Sequence, residues 1–178
     1  MAYIEAPAVQ EGDSVINMDP STKLWPDYKA EGDEYALITM HTMPFEGSVG
    51  LINQLTATRL NRKGFHTAIL LYGPAVLMAS NTRGFPNVGS EGFAGNLQYN
   101  KQLKVLLKEG CKIYACRFAM AALYGMRESD LIPGVQAIHP LDVLDIQIEA
   151  FRRHALIMST WTCLLYTSDA ADDLIGVD

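Results

Sequence analysis

The feature that most restricts the fold of this chain is a regular alternation of short apolar runs with longer segments of helical periodicity. Five runs of strand length occur, at residues 35–40, 67–72, 113–115, 135–138 and 155–160. Continuous apolar runs are typical of strands in a parallel sheet that is buried on both faces. Right-handed crossovers place the connecting helices on those faces, so the pattern predicts an α/β fold with a five-stranded parallel sheet.

Three longer segments are predicted to be helices, and their apolar positions indicate which side meets the core. A helix capped by Ser48 and ending near Arg62 should turn inward the side with Val49, Ile52, Leu55 and Leu60. A helix over residues 96–109 should bury Leu97, Leu103, Leu106 and Leu107. The helix that begins at Pro140 carries the apolar positions Leu141, Leu144, Ile148 and Phe151.

Length and composition fit one globular domain with a proper core, at 178 residues and 49% hydrophobic content. No apolar run is long enough to cross a bilayer. The first residues, MAYIEAPAVQEGDS, lack a basic region followed by an apolar one, so no signal peptide is expected. A cytoplasmic protein without a membrane partner is the resulting expectation.

The chain divides into an irregular N-terminal arm over residues 1–33 and a folded domain over residues 34–162. Prolines and the turn-forming Asp19-Pro20 interrupt the arm. Its one large apolar cluster, formed by Leu24, Trp25 and Tyr28, is expected to anchor it on the domain or on a neighbouring subunit.

The last sixteen residues do not continue the pattern of the domain. Residues 163–173 read CLLYTSDAADD, which back-translates into the transposon-end adapter of sequencing libraries. We therefore interpret residues 163–178 as adapter read-through and not as native sequence. Without them, 14 basic residues face 16 of the 20 acidic ones, and the net charge changes from −6 to −2. A nearly neutral domain without a basic stripe argues against nucleic acid as a partner.

Ligands of parallel sheets bind outside the carboxyl ends of the strands, and the loops that follow the predicted strands carry several reactive or polar residues. The candidate binding residues at this edge are His41, Thr42, Glu46, Tyr72, Gly73, Arg83, His139, Thr160 and Trp161. The sequence thus predicts a site for a small molecule or a partner protein at this edge, and no cofactor is expected.

Cys116 is the best candidate for chemistry, because it lies where the third strand passes into a helix. A helix N-terminus and the neighbouring Arg117 both stabilise a thiolate, so Cys116 and Arg117 are the candidate catalytic pair. The alternative is a small buried side chain, which is the usual role of free cysteine. Cys111 is expected to fill the core, and its odd spacing from Cys116 in a strand argues against a disulfide.

His41 and His139 leave several possibilities open. They can hydrogen-bond loop backbone, pair with Cys116 in nucleophilic catalysis, or join Cys116 in a three-ligand zinc or copper site. No pair has the tight spacing of a metal motif. The glycine-rich GFPNVGSEGFAG at residues 84–95 lacks dinucleotide-binding spacing and is expected to form a lid or a subunit contact.

The order of these motifs resembles the DsrE/DsrF-like proteins. From residue 34 to 161 the chain has an apolar strand, KEGCKIYAC, a small-residue helix, SDLIPGV, an LDVLD helix and a last apolar strand. The segments ITMHTMPFEGSVGLINQ and FPNVGSEGFAGNLQYNKQ are similar to a subfamily described as nitrogen-starvation-response proteins, whose genes tend to lie near a nitrilase.

This resemblance implies a three-layer α/β/α sandwich, a homotrimer or hexamer, and Cys116 near a subunit boundary. In sulfur-relay members the matching cysteine carries a persulfide. Here Arg117-Phe118 follows it where those members commonly have small residues, and no swinging cysteine tail is visible. The favoured function is binding of a small metabolite or partner in the nitrogen-starvation response. The alternatives are a sulfurtransferase with a Cys116 persulfide, and a metal-binding protein.

Overall fold

The computed structural model describes residues 23–44, 49–81 and 95–161. Several sequence predictions fall outside these ranges. They concern residues 1–22 of the arm, the glycine-rich residues 84–94, residues 163–178, and the candidate site residues Glu46 and Arg83.

All five predicted strands are present, each close to its apolar run. They are β1 (Tyr35–His41), β2 (His66–Leu71), β3 (Lys112–Cys116), β4 (Gln136–Ile138) and β5 (Leu156–Trp161). The three long helices are α1 (Val49–Arg62), α2 (Gly95–Lys108) and α3 (Asp142–Arg152). Shorter helical turns are a 3-10 helix at Gly73–Ala79, a π-helical segment at Ala119–Leu123 and a 3-10 turn at Glu128–Asp130. No helix in the described ranges is long and apolar enough to span a membrane.

The strands form one parallel sheet in the order β4-β3-β2-β1-β5. From β1 to β4 the chain always moves in the same direction across the sheet, so right-handed crossovers put α1 and α2 on one face. The connection from β4 to β5 runs back across the sheet and puts α3 on the other face. The predicted three-layer α/β/α sandwich is confirmed.

The core lies mainly between the sheet and the layer of α1 and α2. Ile38 and Met40 of β1 and Ile69 and Leu71 of β2 are fully buried in it. Leu103 and Leu106 of α2 are buried there as predicted, and Leu107 packs on the cluster. A smaller cluster of Leu37, Leu70 and Ile138 fills the space under α3.

The predicted inner side of α1 is wrong for three of its four residues, because Val49, Ile52 and Leu55 are exposed. Only Leu60 packs on the core. The buried side holds the small Gly50 and Ala57, which let the helix approach closely, and the polar Asn53, Gln54 and Thr58. Asn53 and Thr58 donate to backbone carbonyls one turn earlier, so their burial leaves those donors satisfied. The hydropathy of the side chains alone therefore does not predict which side of α1 is buried.

In α3 the apolar series named in the sequence also points away from the sheet. Leu141, Leu144, Ile148 and Phe151 are all exposed. The sheet is covered instead by a second apolar series on the other side of the helix, formed by Val143, Ile146 and Ala150.

In the described part of the N-terminal arm, Trp25 and Tyr28 do not pack on the domain, and their packing on a neighbouring subunit stays a prediction. The side chains of Trp25 and Tyr28 are exposed. The arm is held by Lys63, whose ammonium group donates to the Tyr28 carbonyl and contacts Asp27, and whose carbonyl accepts from the Ala30 amide. Because these contacts are exposed, they stabilise the arm only modestly.

Candidate functional site

The strand register brings several predicted site residues into one row at the carboxyl edge of the sheet. His41 is paired with Trp161 of β5, and Cys116 is paired with Ile138 of β4. Tyr72 follows the last paired residue of β2 and lies between His41 and Cys116. We call His41, Tyr72 and Cys116 the carboxyl-edge row. The register places these three backbone positions side by side. The Cys116 side chain packs in the main core cluster, whereas Tyr72 contacts both that cluster and the one under α3.

His41 is fixed by close packing. Its imidazole meets the Tyr72 ring edge to face, with ring centroids 5.0 Å apart and planes inclined by 65°. The ring also lies directly on Gly73, where a Cβ atom would come within 2.6 Å of His41 Cδ2. Gly73 has φ +53°, a left-handed conformation that favours glycine. The backbone at residue 73 therefore both turns the chain and makes room for the imidazole.

Hydroxyl groups continue the row towards β5. Thr39 Oγ1 donates to Ser159 Oγ at 2.8 Å, and the Tyr72 phenol is hydrogen-bonded to both residues. Burial raises the pKa of Tyr72, and these two hydrogen bonds offset only part of that effect. Tyr72 thus keeps its proton at neutral pH. Thr42 is buried, and its hydroxyl approaches that of Thr160 at 3.5 Å.

Thr39 and Ser159 were missed by the sequence reasoning, which treated their strands as continuous apolar runs. A signal was available, since each is a polar residue two positions before the end of a strand. Only the pairing of β1 with β5 shows that the two hydroxyls meet.

Cys116 is largely buried, with 6% exposure, in a core cluster that also contains Ala119 and Met120. The Arg117 guanidinium is half exposed and bonds Glu128, with Nε 2.7 Å from Oε1. The sequence predicted that Arg117 would stabilise a Cys116 thiolate, whereas in the structure its guanidinium is paired with Glu128. A helical run over residues 117–124, π-helical at Ala119–Leu123, begins directly after Cys116, so the cysteine lies where the strand passes into a helix, as the sequence predicted.

Cys111 fills the core, as predicted, and both described cysteines are free thiols. Burial raises the pKa of Cys111 from 9.0 to about 12. The unfolded chain would therefore release this proton from about pH 9, whereas the folded chain keeps it until about pH 12.

We expect this difference to make stability depend on pH in the alkaline range. The contribution of Cys111 is complete below pH 9 and is lost as pH rises to about 12, with a slope of at most about 1.4 kcal/mol per pH unit. Urea unfolding of the wild type and of Cys111→Ala from pH 8 to 11 measures the effect. Lysines and tyrosines contribute equally to both proteins, so the difference in slope isolates the thiol. Equal slopes would contradict the prediction.

His139 has a local backbone role. It is exposed, its Nδ1 accepts a hydrogen bond from the Leu141 amide at 3.2 Å, and its own amide donates to Asp142 Oδ2 at 3.0 Å. These bonds shape the turn that precedes α3. Within the described ranges no three histidine, cysteine or acidic residues are arranged to hold a metal ion, so the structure does not group His41, Cys116 and His139 as the three-ligand site that the sequence left open.

Two clefts formed by described residues lie away from the carboxyl-edge row. One of about 140 Å³ lies under α3 at the amino end of the strands, where Arg153 stacks over the Tyr35 ring. The other, of about 390 Å³, lies between α2 and the turn at Ile132 and Pro133.

Comparison with known proteins identifies the fold. No family model and no curated protein matches the chain. Among solved structures, the ychN protein from E. coli superposes with a TM-score of 0.56 at 15% identity, covering 71% of this chain and 99% of its own. MTH1491 from Methanobacterium thermoautotrophicum, a protein of unknown function, gives 0.53 at 15% identity, with 71% and 100% covered. At this identity the likeness shows a shared fold and no more.

Proposed function

We propose that this chain, which has the DsrE-like fold, binds a small metabolite at the carboxyl-edge row and serves the response to nitrogen starvation. The observation that carries the binding proposal is the register. It aligns His41, Tyr72 and Cys116, which were chosen from sequence alone as residues following three separate strands. The nitrogen-starvation role is supported by the sequence segments that resemble that subfamily.

The groups in the row favour a particular kind of ligand. An imidazole, a protonated phenol and a thiol offer hydrogen bonds without a fixed charge. Arg117, the cation next to Cys116, is already paired with Glu128. A small neutral or zwitterionic nitrogen compound therefore fits the row better than a phosphorylated one, which would need an unpaired cation.

Thermal unfolding with a panel of nitrogen- and sulfur-containing metabolites tests this proposal. A ligand present at 100 times its Kd should raise the free energy of unfolding by about 2.7 kcal/mol. His41→Gln should remove this increase. The matched control is His66→Gln, which changes the same residue type at the exposed amino end of β2 and should retain it. Absence of any stabilising metabolite, or an equal loss in both variants, would count against the site.

A sulfur carrier is the alternative, favoured by the position of Cys116 at the carboxyl edge, whereas Cys111 lies at the opposite end of β3. In this reaction the Cys116 thiolate attacks the outer sulfur of a sulfane donor such as thiosulfate. The donor S–S bond breaks, its electrons leave with sulfite, and a Cys116 persulfide remains.

Intact mass separates the two functions. Persulfidation adds one sulfur, about 32 Da. The gain should occur in the wild type and in Cys111→Ser and be absent in Cys116→Ser. A wild type that gains no mass eliminates the sulfur carrier and leaves the binding proposal untouched.

A further inference from the structure

We propose that α3 docks against the same helix of a second copy of this chain. The contact surface is the outer α3 face, which we define as Leu141, Leu144, Ile148 and Phe151. Their side chains are 71%, 63%, 38% and 74% exposed. Their spacing of three, four and three residues places them on a single stripe of the helix.

The sheet already occupies the other side of α3. Val143, Ile146 and Ala150 pack on the small cluster beneath the helix. A helix that is apolar on two opposite sides needs a second apolar partner, and a continuous exposed stripe is typical of an interaction surface. Ile157 of β5, also exposed, lies on the same side of the sheet, because it is paired with Leu37 of the cluster under α3.

The charges of α3 identify a second copy as the occupant. Asp142 accepts a hydrogen bond from the His139 amide, and Glu149 pairs with Arg153. Asp145 and Arg152, both exposed, have no ion-pair partner among the residues that the structure describes. They are seven residues apart, so they project from the same flank of the stripe, about 10 Å from each other.

A two-fold axis near Ile148 makes this arrangement self-complementary. The axis sets the two helices antiparallel and keeps both flanks on the same side of the interface. Asp145 of each copy then lies beside Arg152 of the other, and the apolar stripes face each other alongside these two ion pairs. A parallel arrangement about a two-fold axis along the helices would put the charged flanks of the two copies on opposite sides of the interface, where Asp145 and Arg152 could not pair. The apolar stripe supplies the affinity, and the two ion pairs fix the direction of the helices.

Sedimentation equilibrium of the full chain provides the first test. The wild type should self-associate, and Leu144→Asp should raise the dissociation constant by roughly a hundredfold or more, because it buries a charge in the stripe. The matched control is Ile52→Asp on the exposed side of α1, where the wild-type side chain is 54% exposed. This control should associate as the wild type does. A monomeric wild type, or dissociation by Ile52→Asp alone, would overturn the proposal.

Charge reversal tests the antiparallel pairing separately from the apolar contact. Asp145→Arg and Arg152→Asp should each weaken association roughly tenfold, because each places two like-charged pairs across the interface. The double variant should restore wild-type association, since it exchanges the two charges and leaves the geometry intact. All four residues of the stripe and both charged residues are exposed, so circular dichroism of every variant should match the wild type. Weakening by both single variants without restoration in the double variant would contradict the antiparallel contact.

Discussion

Replacing Gly73 with alanine should lower the free energy of unfolding by about 2–4 kcal/mol. Two effects contribute. Residue 73 has φ +53°, a conformation that is unfavourable for alanine and for other residues with a Cβ atom. The new methyl group would also overlap the His41 ring. Because the ring must move, the variant should also lose any ligand-induced stabilisation at the carboxyl-edge row. Urea unfolding, with and without ligand, measures both results.

Gly125→Ala is the matched control for this experiment. Gly125 has a similar φ of +61°, but no described atom lies within 4 Å of the position that its Cβ would take. Gly125→Ala should lower the free energy of unfolding only by the cost of the left-handed backbone conformation, about 1–2 kcal/mol. The excess cost of Gly73→Ala over Gly125→Ala should disappear in a His41→Ala background, where the space is vacant. Equal costs for the two glycine variants would show that the imidazole does not rest on residue 73.

Truncation of Ile69 to alanine should destabilise the protein by about 2–5 kcal/mol. Ile69 lies in β2, the central strand of the sheet, and is fully buried in the main core cluster. Removing its side chain loses buried apolar area and leaves a cavity that a parallel sheet, tied by hydrogen bonds on both sides, cannot close. Chemical unfolding monitored by circular dichroism gives the value.

Ile52→Ala removes the same atoms from the exposed side of α1. It should change the free energy of unfolding by no more than about 0.5 kcal/mol. The two isoleucines were indistinguishable in the sequence, where both were assigned to the core. A cost for Ile52→Ala that approaches that of Ile69→Ala would mean that α1 presents its apolar side to the sheet after all.

The α1 helix shows why strands were easier to predict here than helix faces. The neighbouring strands β1 and β2 are largely buried on both sides, so an apolar run is enough to identify them. In α1, the side that packs closest is chosen partly by small residues such as Gly50 and Ala57, and polar Asn53 and Thr58 are tolerated because they bond to the helix backbone. Apolar spacing therefore identified the helix but misplaced its buried side.

In the candidate site, too, some features could be predicted from the sequence and others could not. Residues at the carboxyl ends of parallel strands must share one edge, so His41, Tyr72 and Cys116 could be grouped from the sequence. Their order along that edge depends on which strands are neighbours, and this follows from the topology. The pairing of Arg117 with Glu128 and the bonding of His139 to the turn before α3 depend on loop conformations that carry no periodic signal.

The position of β5 beside β1 has a consequence for biosynthesis. Thr39 donates to Ser159, a residue 120 positions later in the chain. At ribosomal speed, on the order of ten seconds separate the emergence of the two strands. Throughout that interval one edge of β1, a strand with five successive buried residues, has no neighbour to pair with. A nascent chain of this protein therefore exposes an unpaired strand edge until β5 has emerged from the ribosome, and that edge is the segment that a chaperone would have to shield.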